Sequence, residues 1–238
     1  MPSISLVMPA YNEADNIEPM VAEATPALEA NADSYEIIVV DDGSADETAA
    51  VTRRVMETHP HVRLVEHPVN KGFGAAVFSG FTSAEKDWIF YTDADRQFVL
   101  SELERFVPSM DEADLIAGYR APRRDPFLRV FYGKGWSALC TLVFGYTVRD
   151  VDCGFKLFRR EIIESLAPQI ASRGATFSIE WLVRAKRADY RFVELPVTHR
   201  PRVAGSQTGA NIDVIVRAFR ELMRFRLQLW REGSADNG

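Results

Sequence analysis

Cysteine is nearly absent. Only Cys140 and Cys153 occur in 238 residues, so no disulfide framework can be drawn and their spacing fits no zinc site. A reducing, cytoplasmic compartment is expected. Histidine is scarce too: His59, His61, His67 and His199 fall at no ligand spacing with acids. The opening MPSISLVMPAYNE lacks a basic region before an apolar one and turns acidic at once, which predicts no secretory leader. Long apolar runs are missing as well. WSALCTLVFGYTV (136–148) is the longest weakly charged stretch and is too short to cross a bilayer. There is no internal repeat, zinc finger, coiled-coil pattern or RNA-binding signature, so nucleic acid is not an expected partner.

What is present is ordinary in amount and uneven in place. Apolar residues make up 47% and charged residues 26%, as in soluble globular proteins. Net charge is −6, yet residues 1–117 carry 7 Lys/Arg against 22 Asp/Glu, and residues 118–238 carry 21 against 12. Either surface charge simply varies along the chain, or a basic half meets an anion.

Apolar runs alternate with helical spacing. ISLVMPA (4–10), EIIVVDD (36–42), VRLVEH (62–67), WIFYTDAD (88–95) and LIAGYR (115–120) read as strands. Helices are expected over 13–31, from DGSADE to about residue 58, from KGFGAAVFSGF (71–81), and from Ser101 to about Met110. Ser44 with Glu47, and Ser101 with Glu104, fit capping boxes. Residues 127–146 look helical and basic at the front, DVDCGFKLFRR (150–160) leads into a strand, IEWLVRAKRA (179–188) reads as a helix and YRFVELPV (190–197) as a strand. A loop, HRPRVAGSQTGAN (199–211), precedes a last helix, 213–230. Continuous apolar strands alternating with helices predict a mostly parallel α/β sheet, buried on both faces. Ligands of such sheets sit beyond the carboxyl ends of the strands. Those ends carry PAYNE, DDGS, TDADRQ and GYR.

WIFYTDADRQF (88–98) drives an apolar strand into two acids. Residues two apart on a strand face the same way, which brings Asp93 and Asp95 together. Two carboxylates that close repel by about 4 kcal/mol at ~4 Å and an effective dielectric of ~20. A divalent cation reverses the sign, and a few hard oxygen ligands suit Mg2+ or Mn2+ with phosphates completing the shell. The plainer alternative is a solvated turn at a strand end, which DD at 41–42, ending another strand, weakens.

PAYNEADNI (9–17), VVDDGSADET (39–48), NKGFGAA (70–76), TDADRQF (92–98), DVDCGFKLF (150–158) and RPRVAGSQTG (201–210) together resemble family 2 glycosyltransferases of the GT-A fold. The nearest branch resembles the polyprenyl (dolichyl) phosphate mannose synthases and their glucosyl relatives. The resemblance implies a GT-A domain over 1–211, with a nucleotide-sugar half (1–120) and an acceptor half (121–211), followed by an amphipathic helix (212–232) and a disordered tail (233–238). It implies that Pro9, Tyr11 and Glu13 meet the base and ribose. Val40 and Asp42 become a second base contact, with Asp42 accepting from a ring N–H. An Asx turn onto Gly43 is the alternative for Asp41. Asp93, Ala94 and Asp95 match the metal and diphosphate segment, and Gln97 a neighbour of the metal. Arg96 stands where relatives often have Leu. Lys71, Gly72, Gly74 and Ala75 match a loop that starts a helix close to the ligand, although helix packing explains such glycines equally well. Arg202, followed by Gly205, matches an arginine on a loop that covers the site and contacts phosphate. Arg120 is a diphosphate candidate, and Arg123, Arg124, Arg129 and Lys134 a basic cluster. Asp150 is implied to steer the acceptor or act as base, with Asp152 a weaker candidate. Cys153, where the branch usually has Ser, is expected to pack.

The resemblance implies inverting transfer of a hexose, mannose or glucose, from a nucleotide sugar of the GDP-mannose or UDP-glucose type to a polyprenyl phosphate. Such a phosphate, with its second pKa near 6, is already a nucleophile, whereas a soluble or wall-linked hydroxyl acceptor needs a base. A non-catalytic nucleotide-sugar module is the remaining alternative. The last helix places apolar residues at helical spacing with arginines beside them, which suits a membrane surface and suits packing on its own domain equally. The expected location is peripheral, at the inner face of a membrane, by direct contact or through a membrane-protein partner. Trp136 and Trp230 are core residues or headgroup anchors.

Overall fold

The computed structural model describes residues 1–121, 127–174, 176–201 and 212–235. Seven strands form one sheet: β1 (Ser3–Ala10), β2 (Ser34–Asp41), β3 (Val62–Glu66), β4 (Trp88–Thr92), β5 (Leu115–Arg120), β6 (Phe155–Arg159) and β7 (Phe192–Val197). Their order is β3-β2-β1-β4-β6-β5-β7. All neighbours are parallel except β6, which runs antiparallel to both β4 and β5. The expected mostly parallel α/β sheet is what forms.

Each strand contributes to both faces, because alternate side chains point oppositely. Ile4, Leu6 and Met8 of β1 face one core with Phe90, Phe155 and Leu157. Helices α1 (Ala14–Glu29) and α2 (Thr48–Thr58) and the 3-10 turns Leu100–Arg105 and Val107–Asp111 cover it. Val7, Val40, Ile89 and Phe158 face the other core. That side is covered by α3 (Phe73–Ser83), α4 (Phe127–Phe144), α5 (Arg160–Leu166), α6 (Phe177–Arg187) and α7 (Ile212–Ala235). Phe81 is its hub: its ring meets Tyr91, Phe158, Phe177 and Trp181 within 6.0 Å, three of them edge-on.

Several expectations change. Neither capping box forms. Ser44 Oγ donates to Asp41 instead, and α2 starts only at Thr48, whose N–H donates to Asp46 Oδ1 at 3.0 Å. Ser101 and Glu104 sit inside a 3-10 turn with no side-chain cap, not ahead of an α-helix. Strand β4 stops at Thr92, so Asp93 and Asp95 project from a turn and not from a strand face. The last helix reaches Ala235, three residues into the stretch expected as tail.

Candidate active site at the carboxyl ends of the strands

Three loops beyond β1, β2 and β3 are stitched into one rim. Asp41 closes the turn after β2 by accepting the Ser44 N–H at 3.1 Å, one residue beyond the Gly43 of the expected Asx turn. Gly43 is required there: its φ is +66°, and a Cβ would lie 2.4 Å from the Val69 carbonyl carbon. Asn12, at φ 57°, donates its N–H to Ser44 Oγ at 2.9 Å, and its Oδ1 accepts from the Ala45 N–H at 2.8 Å. The Glu13 N–H reaches Thr48 Oγ1 at 2.9 Å. The PAYNE and DDGS loops therefore share one hydrogen-bond network. Pro9 is the penultimate residue of β1, Tyr11 is exposed, and Glu13 is buried, with Oε2 accepting from Asn16 at 2.6 Å.

Asp42 binds the third loop. Its carboxylate accepts the N–H groups of Lys71 at 2.9 Å and Gly72 at 2.8 Å. His67 Nδ1 lies 2.6 Å from Asp42 Oδ1, while His67 Nε2 meets Ser79 Oγ at 2.9 Å. A carboxylate only accepts, so Nδ1 carries the hydrogen. Asp42, 3% exposed, thus positions the NKG loop, a task the sequence did not assign it. Val40 also departs from expectation: it is fully buried, with Cγ2 against Gly80, and its side chain belongs to the core. Lys71 is exposed on the rim.

The turn after β4 carries the acidic pair. Asp93 and Asp95 are half-buried, and Ala94 between them is in the core. Tyr91 Oη donates to Asp93 Oδ1 at 2.9 Å. Burial, then the Asp93 charge, push the Tyr91 phenol well above its usual range, so it remains a donor. Asp93 also lies on Gly154, where a Cβ would fall 2.3 Å from Oδ2. Asp95 Oδ1 accepts the Gln97 N–H at 3.2 Å, and Arg96 takes φ 60°, a sparsely populated backbone for this residue. Gln97 serves the neighbouring loop: its amide donates to the Arg200 carbonyl at 3.0 Å, and its own carbonyl accepts from the Arg200 N–H at 2.7 Å. Beside it, Phe98 bridges to His199. The acidic turn is thereby fastened to the root of the 202–211 segment. Arg202 and Gly205 lie outside the described residues, as do Arg123 and Arg124.

Arg120 and Asp150 find each other. Arg120 Nε and Nη2 donate to the two Asp150 oxygens at 2.8 and 2.7 Å, both side chains being 9% exposed. The pair ties the end of β5 to the 150–154 loop. Burial works against the Arg120 charge, but Asp150 raises its pKa above the usual value. The sequence did not single out Lys156. It is 2% exposed, and its ammonium donates to the carbonyls of Val151, at 3.1 Å, and Cys153. Burial lowers its pKa, while Asp150, Asp152 and Asp93 draw it back up. The available signal was a lysine within a strand otherwise apolar at both neighbours, FKLF. Cys153 is fully buried, which pushes its thiol up to about 12, so it packs as expected. Among the described residues, cavities of about 450 and 470 Å³ lie along α7, away from this rim.

The glycosyl transferase family 2 model matches residues 5–167, from β1 through the acidic turn and the 150–156 segment to α5. The chain belongs to that family. It is 35% identical over 211 residues to a dolichyl-phosphate beta-glucosyltransferase of Trichomonas vaginalis, covering 81% of this chain and 62% of the relative. It is 30% identical over 204 residues to the undecaprenyl-phosphate 4-deoxy-4-formamido-L-arabinose transferase of Salmonella choleraesuis, covering 85% of this chain and 61% of that one. The chain therefore spans less than two thirds of either relative. The GT-A fold is shared with glucosyl-3-phosphoglycerate synthase of Mycobacterium tuberculosis, solved in complex with Mn2+, UDP and phosphoglyceric acid. The TM-score is 0.70 at 19% identity, over 95% of this chain and 78% of that one.

Proposed function

We propose that the protein is an inverting, divalent-metal-dependent hexosyltransferase that moves a hexose from a nucleoside diphosphate sugar to a polyprenyl phosphate. The observation that carries the acceptor class is the Arg120–Asp150 pair. Asp150 was expected to steer the acceptor or act as base, and a carboxylate held by two charge-assisted hydrogen bonds is a poor base. A hydroxyl acceptor needs such a base. A phosphate dianion does not. The names of the lipid-phosphate relatives support the same acceptor.

Asp93 and Asp95 fit Mg2+ or Mn2+: two hard carboxylates on one tight turn, the first oriented by Tyr91 and seated where Gly154 leaves space. When bound, such an ion neutralises charge on the departing diphosphate. The chain's own part is orientation. The Asn12–Ser44 and Asp42–Lys71 networks hold the rim that takes the nucleotide, with Pro9, Tyr11 and Glu13 at its near edge. The N-terminus of α3 favours anions, with Gly72 at φ +95° turning the chain into it and Gly74 admitting the 173–174 backbone beside it. Arg202 supplies a further cation to the leaving group. We place the enzyme peripherally at the inner face of a membrane, and its buried, protonated Cys140 and Cys153 suit a reducing compartment.

The test offers GDP-mannose and UDP-glucose with detergent-dispersed polyprenyl phosphate and extracts labelled product into organic solvent. Label in the organic phase with one donor is expected. Transfer only to a soluble hydroxyl compound, with every lipid phosphate inert, would sink the acceptor reading.

A further inference from the structure

The apolar residues of α7 divide between two faces. Ala218, Leu222, Phe225 and Leu229 are turned inward and are at most 8% exposed, with Phe225 against Phe144 of α4 at 5.0 Å. A second stripe faces out: Phe219, Met223, Leu227 and Trp230 are 50, 40, 54 and 65% exposed. Spacings of four, four and three residues put them on one side of the helix. A helix docked only on its own domain needs one apolar stripe, so the second calls for a second apolar surrounding.

Charge identifies that surrounding. Residues 217–232 hold five arginines, all exposed, and two glutamates. On the helical projection Arg226 borders one edge of the outer stripe, and Arg220, Arg224 and Arg231 the other. Both glutamates turn away from it: Glu221 accepts from Thr176 Oγ1 at 3.0 Å, and Glu232 from Arg184 at 3.1 Å. Over residues 217–232 the outward face is therefore apolar in the middle, cationic at both borders, and free of acids.

We infer that this face of α7 docks on the surface of an anionic lipid bilayer, its apolar side chains in the interfacial layer and its arginines on lipid phosphates. A second copy of the chain fits poorly, because a two-fold pairing of this face sets arginines against arginines. No helix among the described residues is long and apolar enough to cross a membrane, so the contact lies along the surface. The placement suits the rim. Glu221 sits beside Gly174, where a Cβ would fall 2.8 Å from Oε2, and the Gly174 carbonyl in turn crowds Gly74 at the start of α3. Docking α7 thus anchors to the bilayer a helix that packs beside the start of α3. The inference rests on the lipid acceptor proposed above, yet its test needs no acceptor.

The full chain is mixed with vesicles of phosphatidylcholine alone, or with about 30% phosphatidylglycerol, and sedimented at about 0.1 M salt. Binding to the anionic vesicles about tenfold tighter than to neutral ones, and weakening with added salt, is expected. Leu227→Glu and Met223→Glu are expected to weaken binding about tenfold with unchanged melting temperature and unchanged transfer to detergent-dispersed acceptor. Equal binding to both vesicles, no binding, or undiminished binding by both variants overturns the inference. So does a dimer in solution that Leu227→Glu dissolves. Loss of transfer to every lipid phosphate with vesicle binding intact would sink the acceptor reading and leave this one standing.

Discussion

At the scale of single residues, Gly154 is where backbone and chemistry meet. A methyl group there would overlap the Asp93 carboxylate, the nearer oxygen lying 2.3 Å from an ideal Cβ. Asp93 has little room to retreat, since Tyr91 holds its other oxygen. Gly154→Ala is therefore expected to cost about 1–3 kcal/mol in stability by overpacking, and to lower kcat/KM roughly 10- to 100-fold by moving the carboxylate. Initial rates and thermal melts separate the two effects. Asp95→Asn should leave melting nearly unchanged and reduce transfer by about 100-fold or more, as for other lost electrostatic contacts to a developing anion; retained activity would remove Asp95 from the reaction. Lys156 gives a third contrast. Lys156→Met removes a buried charge but leaves the Val151 and Cys153 carbonyls without their donor. The opposed terms should hold the stability change within about 1 kcal/mol, while transfer falls because the loop under Asp93 loosens. Asp93 and Asp95 were legible in the sequence as acids closing an apolar run, although they sit on a turn and not on the strand face the spacing implied. Gly154, Tyr91 and Lys156 as supports were not, because their roles depend on β4 lying beside β6, sixty residues on.

At the scale of elements, ion pairs fix the edges of the sheet. Asp114, just before β5, accepts from Arg191 and Arg159, ahead of β7 and at the end of β6. The hydrogen bonds from Arg191 lower its pKa from 3.8 to about 2, against the opposing effect of burial. A depressed carboxyl stabilises the fold fully above the unfolded value and loses that contribution as pH falls toward the folded one. Stability should therefore drop between about pH 4 and pH 2, and Asp114→Asn should abolish that part of the drop. Arg191 is exposed, so solvent screens the pair, and the change is read by denaturant titration across that window. Arg184 is the buried counterpart: it joins Glu180 of α6 to Glu232 of α7 and is 3% exposed at its side chain. Arg184→Met is expected to cost about 3–5 kcal/mol, because Glu180 is left buried without its cation. The alternation of strands and helices was readable because continuous apolar runs mark strands buried on both faces. The reversed direction of β6 was not, since the pattern of side chains on a strand is the same in either direction. The capping boxes misled for a local reason: Asp41 captures Ser44, and Asp46 takes over the start of α2.

At the scale of the molecule, the charge split between the halves resolves into separate tasks. Part of the basic half is consumed internally, by Arg120 on Asp150, Arg159 and Arg191 on Asp114, and Arg184 on Glu180 and Glu232. Part is displayed along α7, facing out. The acidic half concentrates Asp41, Asp42, Asp93 and Asp95 at the ends of β2 and β4, the two strands that flank β1. Of those four, Asp41 and Asp42 hold loops, and the turn after β4 is the place proposed for a cation and its diphosphate. A ligand that binds only the folded state raises its stability by about 2.7 kcal/mol at a hundred times its Kd. For a chain of this size each kcal/mol shifts melting by about 2–4 °C. UDP or GDP with Mn2+ should therefore raise the melting temperature by roughly 5–10 °C, with the preferred base giving the larger shift. Chelation should return the curve to that of the free protein, and Asp95→Asn should show the free protein's melting temperature with the shift lost. An equal shift with and without Mn2+ would place the nucleotide elsewhere on the rim and remove the acidic turn from its binding.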